Sequence, residues 1–197
     1  MDARSSICDF LKDGTRPVAK LHQAEATLKD TAKHAKNKFK ENDALLSAEA
    51  IGSFASLVTE PTQFPKKFSS LLFDPVVGNF PKLPLCGVDV SVQIDLISKN
   101  VAKSTCGGVL LQTSKTISAK SWREEHSHYV ASMIWMACSQ SLSGHGSVDR
   151  SNCYTVDLFA RKIINAPGSY KTRVKNLEAA CSEIAALWDT IQPPADL

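Results

Sequence analysis

Four lysines near the N-terminus are spaced so that they could bind a polyanion. Lys29, Lys33, Lys36 and Lys40 recur at steps of three or four residues, the spacing of neighbours along one side of a helix. A row of cations on a helix attracts the phosphate backbone of nucleic acid. The alternative is a solvated face, in which the lysine stems cover the rim of the core while the ammonium groups stay in water. Of the two we favour the solvated face, and the spacing leaves both open.

The same segment has the apolar pattern of an amphipathic helix. From Pro17 onward, apolar residues recur at steps of three and four; they are Leu21, Ala24, Leu28, Ala32, Ala35 and Phe39. A second helix is predicted from a cap at Asp43 to Pro61, which would end it. We expect these two helices to pack against each other.

The middle of the chain changes to the two-residue period of β-structure. Repeated prolines interrupt residues 61–84, which predicts a packed connection with one short helix at 68–73. Over 88–96, Val, Ile and Leu alternate with polar residues, the pattern of a half-buried strand. After a polar loop at 104–108, residues 109–115 read as the antiparallel return strand of a long hairpin. A helix from Ser121, a strand at 153–159 and a helix at 174–191 complete the predicted order.

Several other kinds of site have no support in the sequence. His126 and His128 are two residues apart on a predicted helix and project about 200° apart, so they do not chelate one ion together. Residues 144–147 lack the GxSxG elbow of hydrolases, and no GxGxxG, P-loop or HExxH motif occurs. The six cysteines are scattered singly without a CxxC pair, which argues against a zinc site. Reduced core thiols are favoured over disulfides, because Cys138 and Cys181 lie within helical apolar patterns and a chain of this size needs no bridges.

The order of elements resembles the PD-(D/E)xK nuclease-like superfamily, whose usual core runs helix, three strands, helix, strand. The resemblance rests on residues 87–96 with Asp95 near the end, on 108–115 ending in Lys115, on the helix from Ser121 and on the strand at 153–159. It implies that Asp95 and an acid on the second strand hold a divalent metal, while the lysine acts at the phosphate. Asp95 and Lys115 are thereby the candidate catalytic residues.

One position departs from this motif. The second-strand acid should lie two residues before the lysine, where this chain has Thr113, a poor magnesium ligand. Asp89 shares the face of Asp95 in the predicted strand and could donate a second carboxylate. Glu49, on the second predicted helix, could supply the helical acid found in some members of the superfamily. Asp95, Asp89 and Glu49 are therefore the candidate metal ligands.

We expect one α/β domain, restriction-endonuclease-like, with a small mixed sheet that has a central antiparallel hairpin and is flanked by helices. Its parts are an N-terminal helical pair at 1–60, the proline-rich connection at 61–84, a hairpin-helix-strand core at 85–160 and a C-terminal helix at 170–192.

Two functional classes follow from the resemblance. In the first, the protein is a divalent-metal nuclease or a nucleic-acid-processing subunit. Asp95, with Asp89 or Glu49, would hold Mg²⁺, Lys115 would act at the phosphate, and the lysine row would bind the nucleic-acid backbone. In the second, the fold has lost its site and is a binding or assembly subunit of a bacterial defence or DNA-transaction complex. Thr113 favours the second class, whereas Asp95 and Lys115 favour the first.

Residue composition and net charge limit the class of protein and its partners, but they do not identify a partner. The chain is 43% hydrophobic and 22% charged, as in ordinary globular proteins, so neither disorder nor a fibrous repeat is indicated. A net charge of +3 permits contact with nucleic acid but does not require it. No signal-like start and no membrane-spanning stretch occurs, which predicts a cytoplasmic protein without a membrane partner. A protein partner or a homo-oligomer stays open.

Overall fold

The computed structural model describes residues 2–60, 62, 64–115, 120–142, 144 and 146–190, the side chains of 120–122 and 189 excepted. The helices are α1 (Ala3–Lys12), α2 (Val18–Lys33), α3 (Lys38–Thr59), α4 (Lys66–Ser69), α5 (Lys120–Ser141) and α6 (Tyr170–Leu187). The strands are β1 (Leu72–Pro75), β2 (Leu83–Leu85), β3 (Val88–Val90), β4 (Leu96–Asn100), β5 (Thr105–Gln112), β6 (Ser147–Val148), β7 (Tyr154–Asp157) and β8 (Lys162–Asn165). Among the described helices, none combines the length and the apolar character needed to cross a bilayer.

A mixed sheet forms the centre of the fold. Its strands follow the order β1-β4-β5-β7-β8, and β6 also pairs with β5. The β5–β7 pair is parallel, because α5 carries the chain back between the two strands, whereas β1–β4, β4–β5 and β7–β8 are antiparallel. The α/β class with a mixed sheet and flanking helices, expected from the sequence, is confirmed.

Apolar side chains cover both faces of this sheet. On one face, Phe10 of α1, Phe54 of α3 and Phe68 of α4 belong to the same buried cluster as Leu96 and Val109 of the sheet. On the other face, α5 contributes a second buried cluster that includes Ile97 and Cys106 of the sheet. The adjacent residues Leu96 and Ile97 belong to different clusters, because successive side chains of a strand point to opposite faces of the sheet.

The central hairpin lies later in the chain than the alternation predicts. Residues 88–90 form β3, which pairs with β2 in a separate two-stranded sheet. The partner of β5 is instead β4, which begins where the predicted strand was expected to end, with Leu96 opposite Val109. The predicted pairing of 88–96 with 109–115 was therefore wrong, except that Leu96 lies opposite Val109. Alternation identifies an extended segment but not the strand that pairs with it.

Two glycines predicted to be in the hairpin loop lie inside β5. A Cβ at Gly108 would come within 2.8 Å of Cys138 Sγ and 2.9 Å of Ile134 Cγ2, both on α5. A Cβ at Gly107 would collide with the backbone carbonyl of Asn152. These glycines therefore permit close approach of neighbouring backbone and helix, one of the roles of glycine within a strand.

The N-terminal region holds three helices and not two. α1 was not predicted, although the Asp2 carboxylate caps it by accepting the backbone N–H of Ser5 at 2.8 Å. α2 ends at Lys33, and the Asn37 side chain begins α3 by accepting the backbone N–H of Lys40 at 2.9 Å. The prediction of one continuous apolar stripe as far as Phe39 was wrong, since this ring is 80% exposed. The predicted packing of the next two helices, α2 against α3, is confirmed.

Candidate functional site

Asp95 lies directly before β4, and both of its carboxylate oxygens have protein partners. Oδ2 accepts the backbone N–H of Leu111 at 2.7 Å. Oδ1 accepts from Arg4 Nη1 at 3.3 Å and from Gln93 Nε2 at 3.2 Å. The side chain is only 5% exposed, and burial raises its pKa although the hydrogen bond from Leu111 and the charge of Arg4 oppose this. Asp95 therefore ties β4 and β5 to the start of α1.

Lys115 and Glu49 contact each other, and neither is among the described hydrogen-bond or ion-pair partners of Asp95. The Lys115 ammonium donates to Glu49 Oε1 at 2.7 Å and to Oε2 at 2.9 Å. The same nitrogen lies 5.7 Å from the centre of the Phe159 ring. The two side chains are 54% and 47% exposed, so this pair joins the chain after β5 to α3 at the protein surface.

The residues implied as magnesium ligands do not fit that ion in this arrangement. Asp89 is exposed on β3, in the separate two-stranded sheet, so it does not share a face with Asp95 as predicted. Asp95 itself faces the Arg4 guanidinium, and Mg²⁺ is usually held by one or two carboxylates that are free to coordinate it. Within the described ranges, no three His, Cys, Asp or Glu side chains are grouped to hold a metal ion.

The four predicted basic residues are exposed, but they do not lie on one helix. Lys29 and Lys33 belong to α2, Lys36 lies in the turn that follows, and Lys40 lies in the first turn of α3. Lys29 pairs with Glu25 at 2.6 Å. The turn between α2 and α3 thus divides the row of lysines, and Asn37 in this turn caps α3.

A groove between α2 and α3 has Lys29 on its α2 side. It encloses about 430 Å³, and Glu49 and Arg161 also contribute to its lining. Arg161 lies in the turn between β7 and β8 with a φ of 53°, in the left-handed region. The residue is exposed and, within the described part of the chain, its side chain has no hydrogen-bond or ion-pair partner.

A cleft of about 420 Å³ lies at the carboxyl ends of β5 and β7, beside the first turns of α5. Its lining consists of Lys115, Arg123, Glu124, Ser127, Asp157, Phe159, Ala160, Lys162 and Ile164. Ligand sites of α/β sheets commonly form at the carboxyl ends of the strands, where the following helices begin. The cleft therefore has the position expected of a binding site in this class of fold.

A buried ion pair forms the floor of the cleft. Asp157, the last residue of β7, is 1% exposed, and Arg123 of α5 binds it through both Nε and Nη2, the latter at 2.7 Å from Oδ1. Arg123 Nη2 also donates to the carbonyl of Ser114 at 2.9 Å, and Asp157 Oδ1 accepts the backbone N–H of Ala160 at 2.9 Å. The bidentate pair is therefore also held by two backbone groups, the carbonyl of Ser114 and the N–H of Ala160.

The rim of the cleft is different, because its ion pairs are exposed. Lys162 of β8 pairs with Glu124 of α5, with side chains 38% and 47% exposed. Lys115 pairs with Glu49 in a similar way. Exposed pairs contribute little net stability, so these lysines can exchange a glutamate for another anion at small cost.

The groove and the cleft adjoin each other. Glu49 lines the groove and binds Lys115, which lines the cleft; Arg161 lines the groove, and its neighbour Lys162 lines the cleft. Five lysines and arginines of the described residues line the two depressions, and one of them, Arg123, is paired on the cleft floor. We call the other four the basic surface: Lys29, Arg161, Lys115 and Lys162.

Sequence reasoning missed Arg123, Asp157, Phe159 and Arg161. One available signal was an acid, Asp157, within the apolar run of β7. Its arginine partner is 34 residues away along the chain, so the pairing is visible only in the fold. Comparisons with protein-family models, with curated proteins and with solved structures found no match for this chain.

Proposed function

We propose that the protein binds nucleic acid along the basic surface and does not cleave it at Asp95. The observation that carries the proposal is the continuity of the groove and the cleft, with cations along both. Three of these cations are paired with exposed or partly exposed glutamates, and Arg161 has no partner among the described residues. Phosphate groups can therefore bind Arg161 directly and replace the glutamates at the other three positions.

The proposal includes a restriction-endonuclease-like fold. The core order of that superfamily, helix, three strands, helix, strand, is matched by α3, β1, β4, β5, α5 and β7, with α4 before β1 and the β2–β3 hairpin inserted after it. The match in order supports kinship of fold and says nothing about activity, since one fold serves many functions.

Asp95 has a structural role in this proposal. Its oxygens accept from Leu111 and Arg4, and Thr113 stands where the second acid of the motif would be. Lys115, the other candidate catalytic residue, becomes a backbone-binding cation at the rim of the cleft. The protein then belongs to the second of the two classes, as a binding subunit.

Binding is tested by fluorescence polarisation with labelled DNA and RNA oligonucleotides. The test variant combines Lys29→Gln, Arg161→Gln and Lys162→Gln. A matched control combines Lys82→Gln, Lys171→Gln and Lys175→Gln, which removes the same charge from exposed positions that line neither depression. We expect the test variant to lose most of the affinity and the control to keep it. Absence of binding by the wild-type protein, or equal losses in the two variants, would refute the proposal.

Cleavage is tested separately with the wild-type protein and Mg²⁺ or Mn²⁺. We expect the oligonucleotides to stay intact. If the wild-type protein cleaves the oligonucleotides and the folded Asp95→Asn variant does not, the protein is a nuclease and the proposal is wrong.

A further inference from the structure

We propose that the cleft at the carboxyl ends of β5 and β7 takes one unpaired nucleotide, with the base inside and the phosphate at the rim. This inference rests on the proposed function and adds the form of nucleic acid that the protein prefers. A single strand or a single-stranded overhang can deliver such a nucleotide, whereas an intact duplex cannot.

The size of the cleft suits a small planar group. Its volume of about 420 Å³ falls within the range of roughly 300–1,000 Å³ found for small-molecule sites. A duplex is far too wide to enter a cleft of this volume. The α2–α3 groove beside it offers an exposed path for the rest of the strand.

The inner wall of the cleft is apolar and carries an aromatic ring. Phe159 is half-buried, Ile164 is buried, and Ala160 lies beside them in the lining. The ammonium of Lys115 lies 5.7 Å from the centre of the Phe159 ring, within range of a cation–π contact. A nucleobase could replace this ammonium against the ring, as bases stack on aromatic side chains in proteins that bind single strands.

Charge fixes the orientation of the nucleotide. The only cation on the cleft floor among the described lining residues is Arg123, and Asp157 already binds it through two nitrogens. The floor is therefore close to neutral and offers no site for a phosphate. Lys115 and Lys162 lie at the rim, where exposed glutamates hold them. The phosphate binds at the rim, and the uncharged base points inward.

The test compares three labelled probes by fluorescence polarisation: a single strand, a blunt duplex and the same duplex with a short single-stranded overhang. For the wild-type protein we expect the single strand and the overhang to bind about tenfold more tightly than the blunt duplex, as one stacked base allows. In Phe159→Leu, which keeps apolar volume but loses the ring, this ratio should fall close to one. Arg161→Gln, which changes the groove and not the cleft, should weaken all three probes and keep the ratio.

A second measurement uses only the wild-type protein, so it does not depend on how a variant folds. 2-Aminopurine in the overhang should gain fluorescence on binding, because transfer into the cleft separates it from the neighbouring bases that quench it, whereas 2-aminopurine inside the duplex should change little. Equal affinity for the three probes together with an unchanged 2-aminopurine signal would overturn the inference while leaving the proposed function intact. Failure of every probe to bind would instead refute the proposed function itself.

Discussion

The carboxylate of Asp95 accepts the backbone N–H of Leu111 at 2.7 Å, and Arg4 binds both residues from α1. Arg4 Nη1 lies 3.3 Å from Asp95 Oδ1, and Nη2 donates to the carbonyl of Leu111 at 3.3 Å. One carboxylate and one guanidinium thus join the first helix to the two central strands. Asp95 therefore has structural partners on α1 and on β5.

Removing this carboxylate should lower the free energy of unfolding. Asp95→Ala leaves the part-buried N–H of Leu111 without its acceptor, which costs roughly 1–3 kcal/mol. Asp95→Asn should cost less, because its amide oxygen can still accept that bond. Urea denaturation of the two variants checks this order. A change below about 0.5 kcal/mol in Asp95→Ala, the range of ordinary surface substitutions, would contradict the structural role.

The stability that Asp95 contributes should depend on pH. Burial raises the pKa of Asp95 above its ordinary value of 3.8, so the folded protein holds this proton more tightly than the unfolded chain. Protonated Asp95 therefore adds stability that is fully present below the unfolded pKa and is lost as the pH rises through the folded pKa. The free energy of unfolding of the wild type minus that of Asp95→Asn should accordingly fall with rising pH across this interval. A difference that grows with pH would show that the pKa is lowered instead.

The floor of the cleft should depend on both members of its ion pair. Asp157→Ala leaves the Arg123 guanidinium, almost fully buried, without its carboxylate, which costs about 3–5 kcal/mol. Glu124→Gln, which removes one member of an exposed rim pair, should cost less than about 1 kcal/mol. A double-mutant cycle between positions 123 and 157 measures the coupling directly. Additive effects in that cycle would mean that the two side chains do not stabilise each other.

The contact between β5 and α5 should not tolerate a larger residue at Gly108. Gly108→Ala places a methyl group within 3 Å of Cys138 and Ile134, and overpacking of this kind costs about 1–3 kcal/mol. Gly14→Ala is the matched control, since no atom of the described residues lies within 4 Å of its added Cβ. Thermal unfolding should separate the two variants by several degrees. Equal melting temperatures would show that α5 does not pack closely on this strand.

Sequence patterns located much of the secondary structure but not its pairing. The period of 3.6 identified most of α2, α3, α5 and α6, and the strand expected at 153–159 contains β7. The alternation over 88–96 could not show that Val88–Val90 pairs with β2, because a period of two looks the same beside any partner. Glycine favours turns, so the sequence predicts a loop at Gly107 and Gly108. In the structure both residues lie inside β5, where the close approach of α5 and of Asn152 requires their small size.

The candidate site was less accessible to such reasoning. Lys115 and Glu49 were both singled out, and they do meet, but as an ion pair on the surface. The partners of Asp95 come from Arg4 and Leu111, which are 91 and 16 residues away, and no local pattern encodes such contacts. The Arg123–Asp157 pair of the cleft floor was missed for the same reason, because its two members are 34 residues apart along the chain.

The salt dependence of nucleic-acid binding tests the central claim most directly. A plot of log K against log salt concentration has a negative slope. Removing one cation that binds a phosphate makes this slope less steep by about 0.9 for duplex DNA and by about 0.7 for a single strand. If Lys29, Arg161 and Lys162 bind phosphates, replacing all three with Gln should make this slope less steep by about two to three relative to the wild type. The control variant at Lys82, Lys171 and Lys175 should keep the wild-type slope. Identical slopes in all three proteins would contradict the account, because the bound phosphates would then lie elsewhere on the molecule.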